Sequence, residues 1–258
     1  MFPSVDIKGG VAITIYNNKQ SYGAIKHFTD NPIIDSILKK VLSKTTEFMN
    51  TIVFSKSTYN FSPQLYSDFP EYVHVLTKGN EYIIDASVFD IMPNIFNNNK
   101  FNNSCAVFGR QANKRVIKYI NKEYIKDNKS LESYKVIMPG SNGSGKLGEK
   151  LGVPFIGCPN ELYTQTYMSI GCFENKEYAI NLMKYIKTKF MRIMLGTLKV
   201  TQNTAKDTWS NVPLMDFSKK GPINWDSSIS EIDKQLFLYF NLTKDEIEFI
   251  ELTADSME

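Results

Sequence analysis

The sequence predicts an α+β fold in which helices pack against a mixed β-sheet. Short β-rich runs bounded by proline and glycine recur between residues 59 and 173. Apolar residues at helical spacing follow Pro32 and fill the segment 175–198. The chain has 258 residues, of which 42% are hydrophobic. It is therefore long enough to bury a core, and its composition excludes a disordered or coiled-coil chain.

The first elements are expected to be a hairpin and a helix. Residues 11–16 alternate β-branched and small side chains, and residues 22–28 are expected to return as the second strand. A helix of about three turns follows Pro32, with Asp30 or Asn31 as its N-cap.

The middle of the chain is expected to contain strands and one basic helix. Strands are predicted at residues 72–76 and 82–86, and a helix is predicted over residues 111–125. Residues 134–138 form a predicted strand that runs into a glycine-rich loop at 140–148.

The C-terminal half is expected to alternate strands with helices. Residues 154–158 and 166–173 are predicted strands, and a continuous apolar stripe predicts one long helix over 175–198. The run Thr243, Lys244, Asp245, Glu246 is a capping-box pattern that predicts a last helix.

The chain contains few residues for cysteine or histidine chemistry. The three cysteines, Cys105, Cys158 and Cys172, lack the close spacing of zinc or redox sites and are expected to be small buried hydrophobic residues. Only His27 and His74 are present, so a catalytic triad or a multi-histidine metal site is not expected.

Opposite charges are separated along the chain. The formal net charge is +3, but residues 100–150 contain eleven basic and four acidic residues, and residues 184–206 contain six basic residues and no acid. Residues 207–258 contain eleven acidic and four basic residues. Two basic blocks favour a polyanion such as nucleic acid as the partner, although lysines that only solvate helix faces produce the same pattern.

The glycine-rich loop fits most of a phosphate-binding motif. Gly140, Gly145 and Lys146 occupy the positions that the motif requires, but Leu147 stands where a hydroxyl must hold magnesium. We therefore expect a flexible loop that contacts DNA phosphates or base edges, in preference to a nucleotide-hydrolysing site.

Two DNA-modifying chemistries were considered from the residues. A metal-dependent nuclease needs converging carboxylates, for which Glu81, Asp85, Asp90 and Glu149 are candidates without a distinctive spacing. Adenine methylation needs an Asn/Asp-Pro-Pro-Tyr/Phe tetrapeptide, and the chain's only Asn-Pro is followed by Ile33. Methyl transfer by this chain alone is not expected.

Several segments together resemble one family. They are residues 2–11 (FPSVDIKGGV), 164–167 (TQTY), 185–192 (YIKTKFMR), 201–203 (TQN), 212–217 (VPLMDF) and 242–251 (LTKDEIEFIE). In order and spacing they are similar to the TaqI-like C-terminal specificity domain of type II (type IIG) restriction-modification enzymes, which combine adenine methylation with cleavage.

This resemblance implies an α+β target recognition domain that reads a short sequence of double-stranded DNA. Residues 1–30 would be the hairpin remnant of the junction with a methyltransferase core, and residues 31–258 the recognition domain. S-adenosylmethionine and magnesium are expected only for catalytic regions that this chain lacks, or for a methyltransferase or nuclease partner subunit.

The expected DNA-binding residues are cations and side chains that carry an amide or a hydroxyl. They are Arg110, Lys114, Arg115, Lys135, Ser141, Asn142, Ser144, Lys146, Gln165, Lys189, Arg192, Lys199, Gln202 and Asn203. No catalytic or metal-binding residue is assigned.

Two other functions stay open. The chain is alternatively a type II restriction endonuclease with an unrecognised metal site, or a docking subunit that binds a DNA methyltransferase through the hairpin at 11–28. No apolar run is long enough to span a membrane, and a cytoplasmic location is expected.

Overall fold

A computed structural model describes residues 14, 16–20, 29–141 and 143–257. In this part of the chain the helices are α1 (Pro32–Lys44), α2 (Pro63–Asp68), α3 (Val88–Ile91), α4 (Lys176–Lys187), α5 (Lys189–Gly196), α6 (Ile229–Tyr239) and α7 (Lys244–Thr253). The strands are β1 (Val53–Phe54), β2 (Ser104–Gln111), β3 (Lys114–Asn121), β4 (Tyr134–Pro139), β5 (Phe155–Gly157), β6 (Glu161–Tyr163) and β7 (Tyr167–Phe173). Most of the predicted hairpin at 11–28 lies outside the described residues.

The strands form two sheets, and the α+β class is confirmed. The larger sheet has the order β1-β7-β4-β5, and its neighbouring strands are all antiparallel. The smaller sheet has the order β3-β2-β6; β2 is antiparallel to β3 and parallel to β6. The smaller sheet is therefore the mixed one.

The structure has two hydrophobic cores, and the larger sheet contributes to both, since Val136 and Met168 lie in one and Ile137 and Tyr167 in the other. Helix α4 packs on the larger sheet, and α5, α6, α7 and α1 surround it, with Leu182, Phe190 and Trp209 fully buried. The smaller sheet packs against the short helices that precede it, through Phe61, Phe89 and other buried aromatic residues. The two cores bring the ends of β4 and β7 close to the β2–β3 hairpin.

Several predicted elements are confirmed with their local chemistry. Asn31 caps α1, because its side-chain oxygen accepts hydrogen bonds from the N–H groups of Ile33 (2.9 Å) and Ile34 (3.2 Å). Thr243 and Glu246 form the predicted capping box of α7. Strands β4, β5 and β7 occupy the predicted segments at 134–138, 154–158 and 166–173.

The helix predicted over residues 111–125 is wrong. This segment completes β2, turns at Ala112 and Asn113, and continues as β3. Both turn residues have positive φ, 46° and 61°, which is the backbone of a two-residue type I′ hairpin. The conformation of this segment is determined by strand pairing with residues 104–111. The spacing of apolar residues within the segment does not show this pairing.

Two further predictions need correction. Residues 72–76 and 82–86 form turns with one isolated bridge at Ile83 instead of strands. The long helix predicted over 175–198 is divided at Thr188, which ends α4 and caps α5. Helix α6 and strand β6 had no counterpart among the predicted elements.

The prediction that the three cysteines are buried is confirmed in part. Cys105 is buried, whereas Cys158 and Cys172 are half-buried, and all three are free thiols. In the described ranges, no helix is both long and apolar enough to cross a membrane.

Candidate nucleic-acid interface

The turn of the β2–β3 hairpin presents two arginines side by side. Arg110 and Arg115 face each other directly across the two strands, and both are exposed. Arg110 Nη2 donates a hydrogen bond to the backbone oxygen of Asn113 (3.2 Å), which holds this guanidinium over the turn. Lys114 is also exposed and adds a third cation at the hairpin tip.

The hairpin turn forms one wall of the site, and the residues that follow β1 and β4 form a second wall. Lys56 follows β1, and its Nζ donates to Ser141 Oγ at 2.7 Å. Ser141 Oγ in turn donates to Asn203 Oδ1 at 2.9 Å, and the backbones of Ser141 and Asn203 form an isolated bridge. Gly140 makes this arrangement possible, because a Cβ there would lie 2.4 Å from Lys56 Cε.

These two walls enclose a cleft of about 680 Å³, which we call the arginine cleft. Its lining includes Lys56, Arg110, Arg115, Ser141 and Gln165. Four predicted DNA-binding residues, Arg110, Arg115, Ser141 and Gln165, therefore meet in one concave surface. Gln165 Nε2 donates to Ser57 Oγ (2.9 Å), which orients its side-chain amide.

The floor of the arginine cleft contains Tyr167, the first residue of β7. Burial raises the pKa of the Tyr167 phenol above its ordinary value, while the charges of Arg115 and Arg110 act to lower it. Both guanidinium groups thus lie close enough to Tyr167 to affect its titration. The cleft combines this aromatic ring with cations and an oriented amide.

Two carboxylates line the same cleft. Asp85 Oδ1 accepts hydrogen bonds from the N–H (2.8 Å) and hydroxyl (2.7 Å) of Ser87, and Asp90 Oδ1 accepts one from Gln111 Nε2 (3.1 Å). These bonds stabilise the loop that leads into α3 and the strand beside it. Among the described residues, no group of three or more acidic, histidine or cysteine side chains is arranged to hold a metal ion.

Lys135 cannot contact DNA in this structure, contrary to the prediction. It is fully buried in β4, and its Nζ donates to the backbone oxygens of Ser130 (2.5 Å), Ser133 (3.1 Å) and Cys158 (3.4 Å). Desolvation by burial lowers the pKa of its ammonium group to about 8. Lys135 is therefore a structural residue that joins the loop before β4 to the loop after β5.

The DNA-binding prediction is also wrong for Arg192 and Lys199, since each is only 2% exposed. Arg192 Nη1 donates to Gly148 O (2.7 Å), and its Nη2 donates to Asp255 O. Lys199 forms an ion pair with Glu149. Their charges are used to join α5 and the segment after it to the glycine-rich loop.

Lys189 is a weaker candidate than the sequence suggested. Its side chain is 17% exposed and forms an ion pair with Glu251 of α7. A phosphate would have to compete with this carboxylate. The second basic block thus contributes much less free positive charge than its composition implies.

The glycine-rich loop closes around a carboxylate of its own. Glu149 accepts hydrogen bonds from the backbone N–H groups of Ser144 (2.7 Å) and Gly145 (3.0 Å), in addition to its ion pair with Lys199. Burial acts to raise the pKa of Glu149, but the hydrogen bonds from Lys199, Ser144 and Gly145 outweigh it and the pKa is lowered. The backbone amides expected to bind phosphate are already used within the loop.

The remaining predicted residues lie at the surface near this loop. Ser144, Lys146, Gln202 and Asn203 are exposed, and Asn203 joins the arginine cleft through Ser141. Asn142 lies outside the described residues. Lys56 was not predicted, although a lysine in the polar run 55–58 directly after two apolar strand residues was a usable signal. No family model and no curated protein matches this chain.

Proposed function

We propose that this chain recognises a short sequence of double-stranded DNA and acts as the specificity module of a restriction-modification system. The observation that carries this proposal is the convergence of Lys56, Arg110 and Arg115 with the polar side chains of Ser141 and Gln165 on one cleft. In the proposal, methylation and cleavage are supplied by catalytic regions outside this chain or by a partner subunit. The sequence resemblance to TaqI-like target recognition domains supports the same function.

The hairpin that carries the arginines has a suitable shape for reading DNA. A two-stranded β-ribbon fits the major groove of B-form DNA, and arginine side chains there pair with guanine O6 and N7. Arg110 and Arg115 lie at the tip of such a ribbon and are exposed. We assign these two residues to base or phosphate contacts, and Lys56 to the opposite strand of the duplex.

Salt dependence tests the proposal directly. Five cations lie in or near the cleft and the glycine-rich loop: the half-buried Lys56 and the exposed Arg110, Lys114, Arg115 and Lys146. If they neutralise about five phosphates, affinity for a duplex pool should fall several hundredfold between about 50 and 200 mM salt. Fluorescence anisotropy with a labelled random-sequence duplex measures this. An affinity that is unchanged by salt, or no binding at all, would contradict the proposal.

Metal-dependent DNA hydrolysis is the second candidate function. It is favoured by one observation, namely that Asp85 and Asp90 line the same cleft as Lys56. Two carboxylates and a lysine are the usual residues around a nuclease metal ion. Incubation with supercoiled plasmid and magnesium distinguishes the two functions. Nicking that is lost in Asp85→Asn and Asp90→Asn would establish hydrolysis, whereas binding without nicking supports recognition alone.

A further inference from the structure

A second cavity continues the arginine cleft beneath the loop that precedes α3. We call it the side pocket. It has a volume of about 300 Å³ and shares Asp85, Ser87 and Gln165 with the cleft. The two cavities therefore adjoin at these three residues. Its volume lies at the lower limit for ligand pockets, roughly 300 Å³, so it suits a small planar group and not an extended chain.

The side pocket has a mixed lining of four apolar and five polar residues. Val75, Leu76, Ile83 and Ile91 supply branched side chains that can cover the two faces of a flat ring. Leu76 is buried and fixed in the smaller core, while Val75 is 40% exposed and lies at the rim. Apolar side chains of this kind stabilise an aromatic ring by removing its faces from water.

Two of the polar lining residues, Asn80 and Gln165, carry side-chain amides. The side-chain amide of Asn80 makes no hydrogen bond within the part of the chain that the structure describes, so its donor and its acceptor are available. Gln165 uses its Nε2 to bind Ser57, which leaves its amide oxygen directed away from that bond as an acceptor. Amide side chains pair with the hydrogen-bonding edges of nucleobases, and apolar or aromatic side chains cover the faces of bases that leave the helix.

We propose that the side pocket receives one unpaired nucleobase of the bound DNA while the cations of the arginine cleft hold the adjacent phosphates. This inference rests on the proposed function, because it requires that DNA occupy the cleft. It goes further in assigning a ligand to Asn80, Ile83 and Ile91, which lie outside the basic blocks. Lys56, Arg110 and Arg115 are at the cleft and would bind the charged backbone on either side of the displaced nucleotide.

The test compares two DNA hairpins that differ only in one central nucleotide. One is fully paired, and the other carries a single unpaired 2-aminopurine, whose fluorescence reports stacking. We expect the unpaired base to be bound about tenfold more tightly, because the cost of leaving the stack is already met. We also expect its fluorescence to change on binding.

Two variants and two matched controls locate the effect. Ile83→Trp fills the side pocket and Asn80→Ala removes its free amide, so both should abolish the preference while affinity for the paired hairpin stays within twofold. Val73→Trp and Asn94→Ala make the same changes at exposed positions that do not line the pocket, and should retain the preference. Circular dichroism shows whether each variant is folded.

The possible failures are distinguishable. Equal binding of the two hairpins by the native chain, with Ile83→Trp unchanged, would overturn the side-pocket inference and leave duplex recognition standing. A preference that survives in both Ile83→Trp and Asn80→Ala would also overturn it, because the base would then lie elsewhere. No binding of either hairpin would contradict the proposed function and the inference together.

Discussion

Lys135 shows how a single buried charge links stability to pH. The folded protein holds this lysine with a pKa of about 8, whereas an unfolded lysine titrates near 10.4. Between these values the unfolded chain binds more protons, so the contribution of Lys135 to stability rises with pH, by up to roughly 3 kcal/mol. Lys135→Met removes this pH-dependent contribution to the unfolding free energy and keeps the side-chain volume.

The predicted effect is a pH-dependent difference in unfolding free energy between the native chain and Lys135→Met. Chemical denaturation at about pH 7.5 and pH 9.5 should show that the free energy of unfolding of the native chain rises relative to that of Lys135→Met. DNA affinity should be the same in both, because Lys135 is fully buried. A constant difference across this range would mean that the lysine is not desolvated as described.

Glu149 and Lys199 form the second buried charge arrangement that supports the glycine-rich loop. Glu149→Gln leaves the Lys199 ammonium without its carboxylate, and we expect a loss of about 3 kcal/mol in unfolding free energy. The double variant Glu149→Leu with Lys199→Met removes both charges and should recover most of this loss. A loss below about 1 kcal/mol in Glu149→Gln would show that the ion pair contributes little.

The sequence could not separate buried from exposed cations. Lys135 in β4 and Lys146 in the glycine-rich loop are eleven residues apart in sequence, yet one is fully buried and the other exposed. The difference depends on carbonyl groups that are distant in sequence, such as Cys158 O. Composition alone counts all lysines and arginines as available for phosphate, which is why the free charge of both basic blocks was overestimated.

At the scale of elements, the β2–β3 hairpin offers a test through its turn. Ala112 adopts a positive φ, which costs an alanine about 1 kcal/mol and a glycine much less. Ala112→Gly should therefore stabilise the protein by about 0.5 kcal/mol, whereas Ala106→Gly, the same change within β2, should destabilise it by about 1 kcal/mol. Thermal unfolding compares the two. Destabilisation by both changes would contradict the type I′ turn.

The division between α4 and α5 depends on Thr188. Its hydroxyl accepts a hydrogen bond from Met191 N (3.2 Å) and donates one to Tyr185 O (2.7 Å). Thr188→Ala should cost about 1 kcal/mol of unfolding free energy, and Thr51→Ala, at an exposed position away from these helices, less than about 0.5 kcal/mol. Equal effects in urea denaturation would mean that α4 and α5 behave as one helix.

These elements also explain what could be predicted from sequence. Helices α1 and α7 carry their caps in adjacent residues, so local patterns located them. The apolar stripe of α4 and α5 was identified, but the break at Thr188 depends on a hydroxyl that reads equally well as a tolerated helix interior residue. The β2–β3 hairpin was mistaken for a helix because its apolar residues satisfy both periods and its pairing partner lies outside the segment.

At the scale of the whole molecule, the arginine cleft forms where elements of the two sheets meet, beside a core that contains residues of both. The β2–β3 turn belongs to the smaller sheet, and Ser141 and Tyr167 belong to the ends of strands in the larger one. Residues more than fifty positions apart in sequence thus share one surface. Arg110, Arg115, Ser141 and Gln165 were each predicted individually, but their convergence follows only from this packing.

The central claim is that the arginine cleft binds duplex DNA, and a salt titration of two matched double variants tests it most directly. Arg110→Ala with Arg115→Ala should weaken binding to a duplex pool and reduce the slope of log affinity against log salt by about two. Lys219→Ala with Lys234→Ala removes two exposed cations that do not line the cleft, and should leave the slope unchanged. Equal slopes in both double variants would contradict the assignment of the cleft to DNA.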